Sequence, residues 1–487
     1  ALTTGQENIA MGRNALTADT KGQKSTALGN GALQAQNFTT ATDVYNVAVG
    51  YIAGASITTG TANTAIGGLA LDAETVGSSN VAVGYAALTD QVSSSGTGTY
   101  NVAVGHLAGE NITSGIQNTI IGGLAGDSLT DADFNTAVGV AALGADTLGS
   151  RSTAIGRSAL AAQNFTTATE VYNVAVGFNA GVSVTTGQNN TIVGGLAADA
   201  LTDGTNNVAI GTTALSSDTR GSRSVAIGSA ALESQNFTTT TTAYNVAVGF
   251  TAGQSVTTGT GNHFFGSLSG TSCTTGSENV AVGGSTMGSA TVTGSSNTAV
   301  GNAAMTSLSS GSNNTAIGHD AGRSGSPGGN ITSGSNRFSL GDENVSTLNA
   351  QVALTVASDE RDKTDFVDLD LGLDFIKALE PVTYYWDKRS KYGDKYADDY
   401  DLNAQTPDGT HKEDWMDIGF KAQAVRDLEE AAGYKASDKK NLTVSLSEDG
   451  KQYGLRYEKF IPILVKAIKD QDAIITSLTA RVAALES

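Results

Sequence analysis

The chain is poor in the residues that anchor many other architectures. One cysteine, Cys273, among 487 residues excludes an internal disulfide scaffold. A buried, idle thiol is its expected state. Cations are scarce, 28 Lys and Arg against 47 Asp and Glu, for a formal charge of −19. That balance argues against nucleic acid as a partner, because phosphate binding needs clustered Lys and Arg. No stretch approaches the roughly 20 apolar residues of a membrane span, so no membrane insertion is expected. His106, His263, His319 and His411 share no spacing, so no metal site and no cofactor is expected. Proline is nearly missing from the first 350 residues, where Pro327 stands alone.

Charge is unevenly placed. Residues 1–350 hold 9 Lys and Arg and 20 Asp and Glu, whereas the much shorter 351–487 holds 19 and 27. The first part also carries 53 of the 60 glycines. This break puts a domain boundary near residue 350. The chain opens at Ala1, already inside a repeat and without an initiator Met. It is therefore expected to be the C-terminal portion of something longer, with any attachment domain preceding it.

The first part is a repeat of [N/S]-[V/T/I]-A-[V/I]-G-x-x-A, as in NVAVGYIAG (46–54), STAIGRSAL (152–160) and NVAIGTTAL (207–215). Its glycine falls at 12, 29, 50, 67, 84, 105, 122, 139, 156, 177, 194, 211, 228, 249, 266, 283, 301, 318 and 341. Most steps are 17 residues, with a step of 21 every few units; from 84 to 283 the order recurs every 72. In NVAVG, Val47 and Val49 point to one face and Ala48 to the other. Glycine then permits a bend, and the polar spacer supplies further turns. One unit buries almost nothing alone, but stacked units build a continuous thin core. The expected fold is a parallel β-solenoid with one coil per glycine. At about 4.8 Å between neighbouring strands it would be on the order of 90 Å long. A calcium-binding roll needs recurrent aspartate that is missing here. The regular Val and Ile positions exclude a disordered low-complexity chain.

The pattern resembles the head of trimeric autotransporter adhesins (YadA-like), whose repeats read like N-S-V-A-I-G. The resemblance covers residues 1 to about 341. It implies a left-handed parallel β-roll with three chains side by side, and the small alanine face is expected to suit that packing. The 17-residue step is longer than that family's usual unit. Three of the 21-residue steps carry near-copies: QNFTTATDVYN (36–46), QNFTTATEVYN (163–173) and QNFTTTTTAYN (235–245). Their aromatics, Phe38 and Tyr45, Phe165 and Tyr172, Phe237 and Tyr244, are candidate receptor contacts, because aromatics with polar neighbours stack on sugar rings. The competing role is packing against a neighbouring coil or subunit.

After Gly341 the pattern breaks. VASDERDKT (356–364) carries five charged side chains in nine residues. LDLGLDFIKALEPVTYYWD (369–387) reads as a short helix and then a strand after Pro381, and IGFKAQAVRDLEEA (418–431) as a strand passing into an amphipathic helix. The tail has a heptad seam of Ile461, Leu464, Ile468, Gln471, Ile475, Leu478, Val482 and Leu485. Ile or Val at one seam position with Leu at the other favours two strands.

The set S-D-E-R-x-K-T, L-x-F-I-x-x-L-x-P-V-x-Y-x-W, G-F-x-A-Q-x-V and Y-x-x-F-I-P-I-L-V-K-A-I-K resembles the peptidase S74 intramolecular chaperone domain. That domain ends many phage tail fibres and tailspikes, endosialidases included. The resemblance implies a domain that trimerises the chain, guides the upstream β-structure and cuts itself off. Ser358 would be the nucleophile, Lys363 its base and Asp359 the residue beside the cleavage site. The chemistry is sound, because a serine hydroxyl needs a base and lysine serves once its pKa is lowered. Asp362 stands where the family usually has an apolar residue, and a carboxylate beside Lys363 would blunt it as a base. Asp365 replaces a frequent Asn.

The expected fold class is mainly β: a trimeric parallel β-roll or solenoid rod, then a small α+β chaperone domain ending in a coiled coil. The expected divisions are a solenoid at 1–341, a connector at 342–357, the chaperone domain at 358–459 and the coiled coil at 460–487. The resemblances imply a structural and receptor-binding tail fibre in a bacteriophage virion. It would be a homotrimer contacting a host-surface glycan or outer-membrane component, and would join other virion proteins through a missing N-terminal region. The alternative is a bacterial surface trimeric adhesin, although that family ends in a membrane anchor. No activity on an external substrate is expected. A glycan depolymerase needs a carboxylate pair in a cleft, and the acids of the head look scattered.

Overall fold

The computed structural model describes residues 4–96, 98–351, 356–395, 397, 399–440 and 442–486. Part of the expected connector, 352–355, lies outside the described residues. The chain divides into two compact units, Ala1–Thr298 and Ala299–Ser487.

The first unit is a parallel β-solenoid. It has sixteen three-residue strands of one kind, from Ile9–Met11 to Val280–Val282, each the centre of one repeat. Neighbours pair in parallel and in exact repeat register: Val47 opposite Thr64, Ala48 opposite Ala65, Val49 opposite Ile66. The glycine closing each strand is demanded twice over. At Gly50 φ is +143°, and a Cβ there would lie 2.4 Å from the carbonyl oxygen of Gly67 in the next coil.

The two faces of the strands corrects one expectation. The alanine row is the inside of each coil: Ala48 and Ala82 have no exposed surface. The flanking Val, Thr and Ile are the half-exposed outer row. The alanine face therefore cannot meet a neighbouring roll. Leu33, Ile57, Leu71 and Leu88 from the turns share that interior, and where the repeat varies Ile120, Ile192 and Phe264 take the alanine position and are fully buried too.

A polar ladder runs beside the alanines. Asn46 is fully buried; its Nδ2 donates to Gly60 O at 2.8 Å, and its Oδ1 accepts from Asn63 N at 2.9 Å. Asn63 repeats the pattern with Gly77 O and Asn80 N. Each buried amide thus has its partners in adjacent coils. Serine replaces asparagine in the coil before each QNF loop, because the loop's glutamine enters that space. Gln36 Nε2 donates to Ser25 Oγ at 3.1 Å, while Gln36 Oε1 accepts from Asn46 at 2.9 Å.

Each loop is also tied to a buried acid 17 residues before its glutamine. Asp19 accepts from Gln36 Nε2 at 2.7 Å, Phe38 N at 3.2 Å and Gly22 N at 3.0 Å. Asp146 and Asp218 hold the other two loops in the same way. Glu74 does so for Gln91 and Ser93. Burial pushes the Asp218 carboxyl up, against the hydrogen bonds that favour its charge. Cys273 is buried, which raises its thiol to about 12 and leaves it unreactive.

In the second unit, strands Thr315–Ile317 and Phe338–Leu340 pair in parallel as further coils. An α+β module follows. Helix α1 (Leu373–Ala378) leads into the strand Val382–Tyr385, which pairs antiparallel with Met416–Gly419. Then come α2 (Ala422–Ala431), a hairpin of Val444–Leu446 and Tyr453–Leu455, and α3 (Phe460–Glu486). Leu371, Phe375, Val425, Val444, Phe460 and Ile463 form its core. Pro462 lies in the first turn of α3, where no intrahelical N–H is required. No helix among the described residues is long and apolar enough to cross a membrane.

Candidate functional site

The charged stretch folds as a single exposed 3-10 turn, Glu360–Asp362. Asp359 caps it, accepting from Arg361 N at 2.9 Å, and pairs with the Arg361 guanidinium at 2.6 Å. The Arg361 hydrogen bonds hold the Asp359 carboxyl below the usual carboxylate range. Asp359 is thereby engaged away from the base. Lys363 leaves the turn in extended backbone, and its Nζ folds back onto Ser358. It lies 2.5 Å from Ser358 Oγ and 3.1 Å from Ser358 O. Asp365 has φ +59°, a region that asparagine and aspartate both tolerate. All described residues from 356 to 368 are exposed in the single chain.

The C-terminal helix has two different faces. Phe460, Ile463 and Ala467 are buried against its own module. The seam residues Ile461, Leu464, Ile468, Ile475, Leu478, Val482 and Leu485 are 45–86% exposed, and Gln471 shares that exposed row. An apolar stripe of this length on one helix is suited to partner helices.

The structure separates each aromatic pair of the QNF loops. Phe38, Phe165 and Phe237 are only 6–7% exposed and pack inside the loop. Tyr45, Tyr172 and Tyr244 are 48–55% exposed. Beside each tyrosine stands a cation from one coil earlier, which the sequence reasoning missed; the signal was a Lys or Arg 21 residues before each Tyr. Lys24 pairs with Asp43 at 2.8 Å and lies over the Tyr45 ring. Arg151 pairs with Glu170 at 3.0 Å and lies over Tyr172. Arg223 donates to the Tyr244 hydroxyl at 2.7 Å. The Tyr172 hydroxyl donates to Glu170, which raises the phenol and, with Arg151, lowers the carboxyl. Each station offers an aromatic face beside charged hydrogen-bonding groups.

His319, Asp320 and Asp342 also converge. The Lys395 ammonium lies 2.8 Å from Asp320 and 4.0 Å from Asp342 and supplies the positive charge there.

Residues 358–434 match the peptidase S74 family model, described as chaperone of endosialidase. The match begins at Ser358 and includes the Ser358–Lys363 turn, α1, α2 and the strands between them. The chain thus joins a parallel β-solenoid to a chaperone-of-endosialidase segment. No curated protein and no solved structure matches it.

Proposed function

We propose that this chain is a fibre- or spike-type appendage of a bacteriophage, working as a homotrimer in the virion. Its YadA-like solenoid presents the tyrosine stations to a host-surface glycan or outer-membrane component. Its C-terminal module gathers three chains, sets their register and then cuts next to Ser358. The observation that carries this is the chaperone-of-endosialidase match on a module whose last helix leaves a whole apolar seam uncovered.

The physical need is plain. Parallel in-register β-structure must close long loops before its contacts form. Self-similar coils could also pair in many wrong registers. A separately folding clamp at one end sets the register once. In the cutting step the Ser358 hydroxyl gives its proton to the neutral Lys363 amine, and the oxygen attacks the carbonyl of the adjoining peptide bond. The amine leaves with a proton, and water hydrolyses the ester. Lysine serves as this base only when desolvated. The exposed turn therefore needs cover, which a neighbouring copy supplies in the assembled trimer.

Intact mass of freshly expressed protein, native and denatured, beside Ser358→Ala and Lys363→Ala, tests both halves. A three-chain native mass with a wild-type break at Ser358 is expected. A monomeric native mass would sink the proposal.

A further inference from the structure

Within the second unit, the strand Phe338–Leu340 is the last of the repeat strands among the described residues. In earlier coils a Thr-x-Gly or Ser-x-Gly turn donates its glycine N–H to a threonine carbonyl one coil on. Gly115 bonds Thr130 O, Gly187 bonds Thr202 O and Gly311 bonds Thr332 O, each at 3.3 Å. Gly334 is the last glycine of this series and has no following coil to meet. Its N–H donates instead to Glu448 Oε1 at 2.6 Å, as does Ser333 N at 3.2 Å. Ser333 Oγ donates to the same oxygen at 2.9 Å.

The asparagine ladder ends in a matching way. Arg337 occupies the ladder position, and its N–H donates to Asn314 Oδ1 at 3.0 Å as the next asparagine would. Its guanidinium then pairs with Glu448 Oε2 at 3.0 Å. Glu448 and Asp449 form the tip of the module's hairpin, and Asp449 also accepts from Asn330 N at 3.4 Å. A second clasp has the opposite polarity. Lys395 lies 2.8 Å from both Asp320 and Glu343, and Lys388 Nζ donates to Glu343 O at 2.6 Å. Asp320, Asp342 and Glu343 are 2–7% exposed, so these charges are largely desolvated and depend on their partners.

We propose that the Glu448 hairpin is the terminal cap of the solenoid, standing in for the missing next coil. We infer further that this cap and the Lys395 clasp hold fragment 358–487 on the rod after the backbone is cut. Open solenoid ends expose unpaired N–H and C=O groups and need a polar closing element. Each contact of Glu448, Asp449, Lys395 and Lys388 named above joins a residue before Ser358 to one after it, so a break there severs none of them. The retention half rests on the proposed self-cleavage; the capping half does not.

The test supplies the cut independently. A specific protease site is inserted within the exposed stretch 345–351 of full-length Ser358→Ala protein, which is cut and passed over a sizing column. The C-terminal fragment, which begins at that inserted site and contains 358–487, is expected to co-elute with the rod at low salt and to leave at about 1 M salt, where charge pairs are screened. Glu448→Gln with Lys395→Met should weaken retention on the order of 100-fold, because each change strands a desolvated partner. Amide exchange on uncut protein checks the cap itself. Ser333 and Gly334 should be protected as Gly187 is, and should lose that protection in Glu448→Gln. Free fragment at low salt, or unprotected Ser333 and Gly334 in the parent, overturns the proposal. A wild type that never cuts itself would count against the proposed function alone.

Discussion

Lys363 Nζ lies within hydrogen-bonding distance of both oxygens of Ser358, five positions back along an exposed turn. The nucleophile and base implied by the family resemblance are therefore already together in a single chain. What the single chain lacks is cover. Ser358→Ala and Lys363→Ala are each expected to leave an uncut 49.2 kDa chain that still assembles. Lys363→Arg should also be inactive, because arginine stays protonated. Denaturing gel electrophoresis of the three variants beside wild type is the check. Cutting by a variant without the lysine would remove it from the chemistry.

The seam of α3 yields a second expectation. Ile475 and Leu478 are about half exposed although both are large and apolar. Leu478→Asp would place a carboxylate at the centre of the proposed three-helix contact, where an unpaired charge is strongly disfavoured. Sedimentation should then show monomers, and the rod should be recovered poorly from expression. Gln471→Leu should act in the opposite direction, raising the stability of the assembly while weakening its register. A Leu478→Asp trimer as stable as wild type would show that the seam holds nothing.

The buried acids lead to a third. Asp146 accepts from Gln163 Nε2, Phe165 N and Gly149 N with no surface of its own exposed. Asp146→Ala leaves three buried donors without partners and should cost roughly 3 kcal/mol or more. The effect should concentrate on that loop and its neighbouring coils, read as lost amide protection at Gly149 and Phe165. Protection unchanged at both positions would refute the anchoring role.

These elements differ in how plainly the sequence announced them. Every repeat glycine closes a strand in the structure, and from Gly12 to Gly301 it does so at φ near +140°, which suits no other residue. The helix before Pro381, the strand after it and α2 were equally legible, since periodicity and proline act locally. Which face of NVAVG points inward was not. Alternation defines two faces, but the choice between Ala48 and its valines depends on the width of the coil and on the leucines arriving from the turns. The acids of the head look scattered along the chain, yet Asp19, Asp146 and Asp218 share one offset from a glutamine. Arg337 is the ladder's closing residue, a role set by Asn314 and by Glu448, which is 111 residues away in sequence.

Acid should loosen the join between the last coil and the module. Burial opposes ionisation of Asp342, but hydrogen bonds from Asn344 and His319, with the Lys395 charge, hold its carboxyl below 3.8. Burial likewise opposes ionisation of Glu448, and Ser333, Gly334 and Arg337 hold it below 4.5. Both folded values lie under the unfolded ones, so this stability is complete above the unfolded values. It is lost as pH falls through the folded values. Fluorescence of Trp386 and Trp415, both in the second unit, should report a lower melting temperature as pH drops from about 6 to about 3. A flat profile across that window would show that the carboxylates contribute nothing there.

The two aromatics of each QNF loop should fail in different ways when removed. Phe165 is 6% exposed and fills the loop that Asp146 anchors, so Phe165→Ala should cost about 3–5 kcal/mol of local stability. Tyr172 is 48% exposed beside Arg151 and Glu170, and its removal opens no cavity. Tyr172→Ala should leave thermal unfolding nearly unchanged. If the tyrosine stations meet the host surface, replacing Tyr45, Tyr172 and Tyr244 together should lower binding of the trimer to host cells by well over tenfold. Stacking on an exposed aromatic contributes on the order of 1 kcal/mol per ring, and the stations act together in one rod. Full binding by the triple variant, with folding intact, would place receptor contact elsewhere on the outer row.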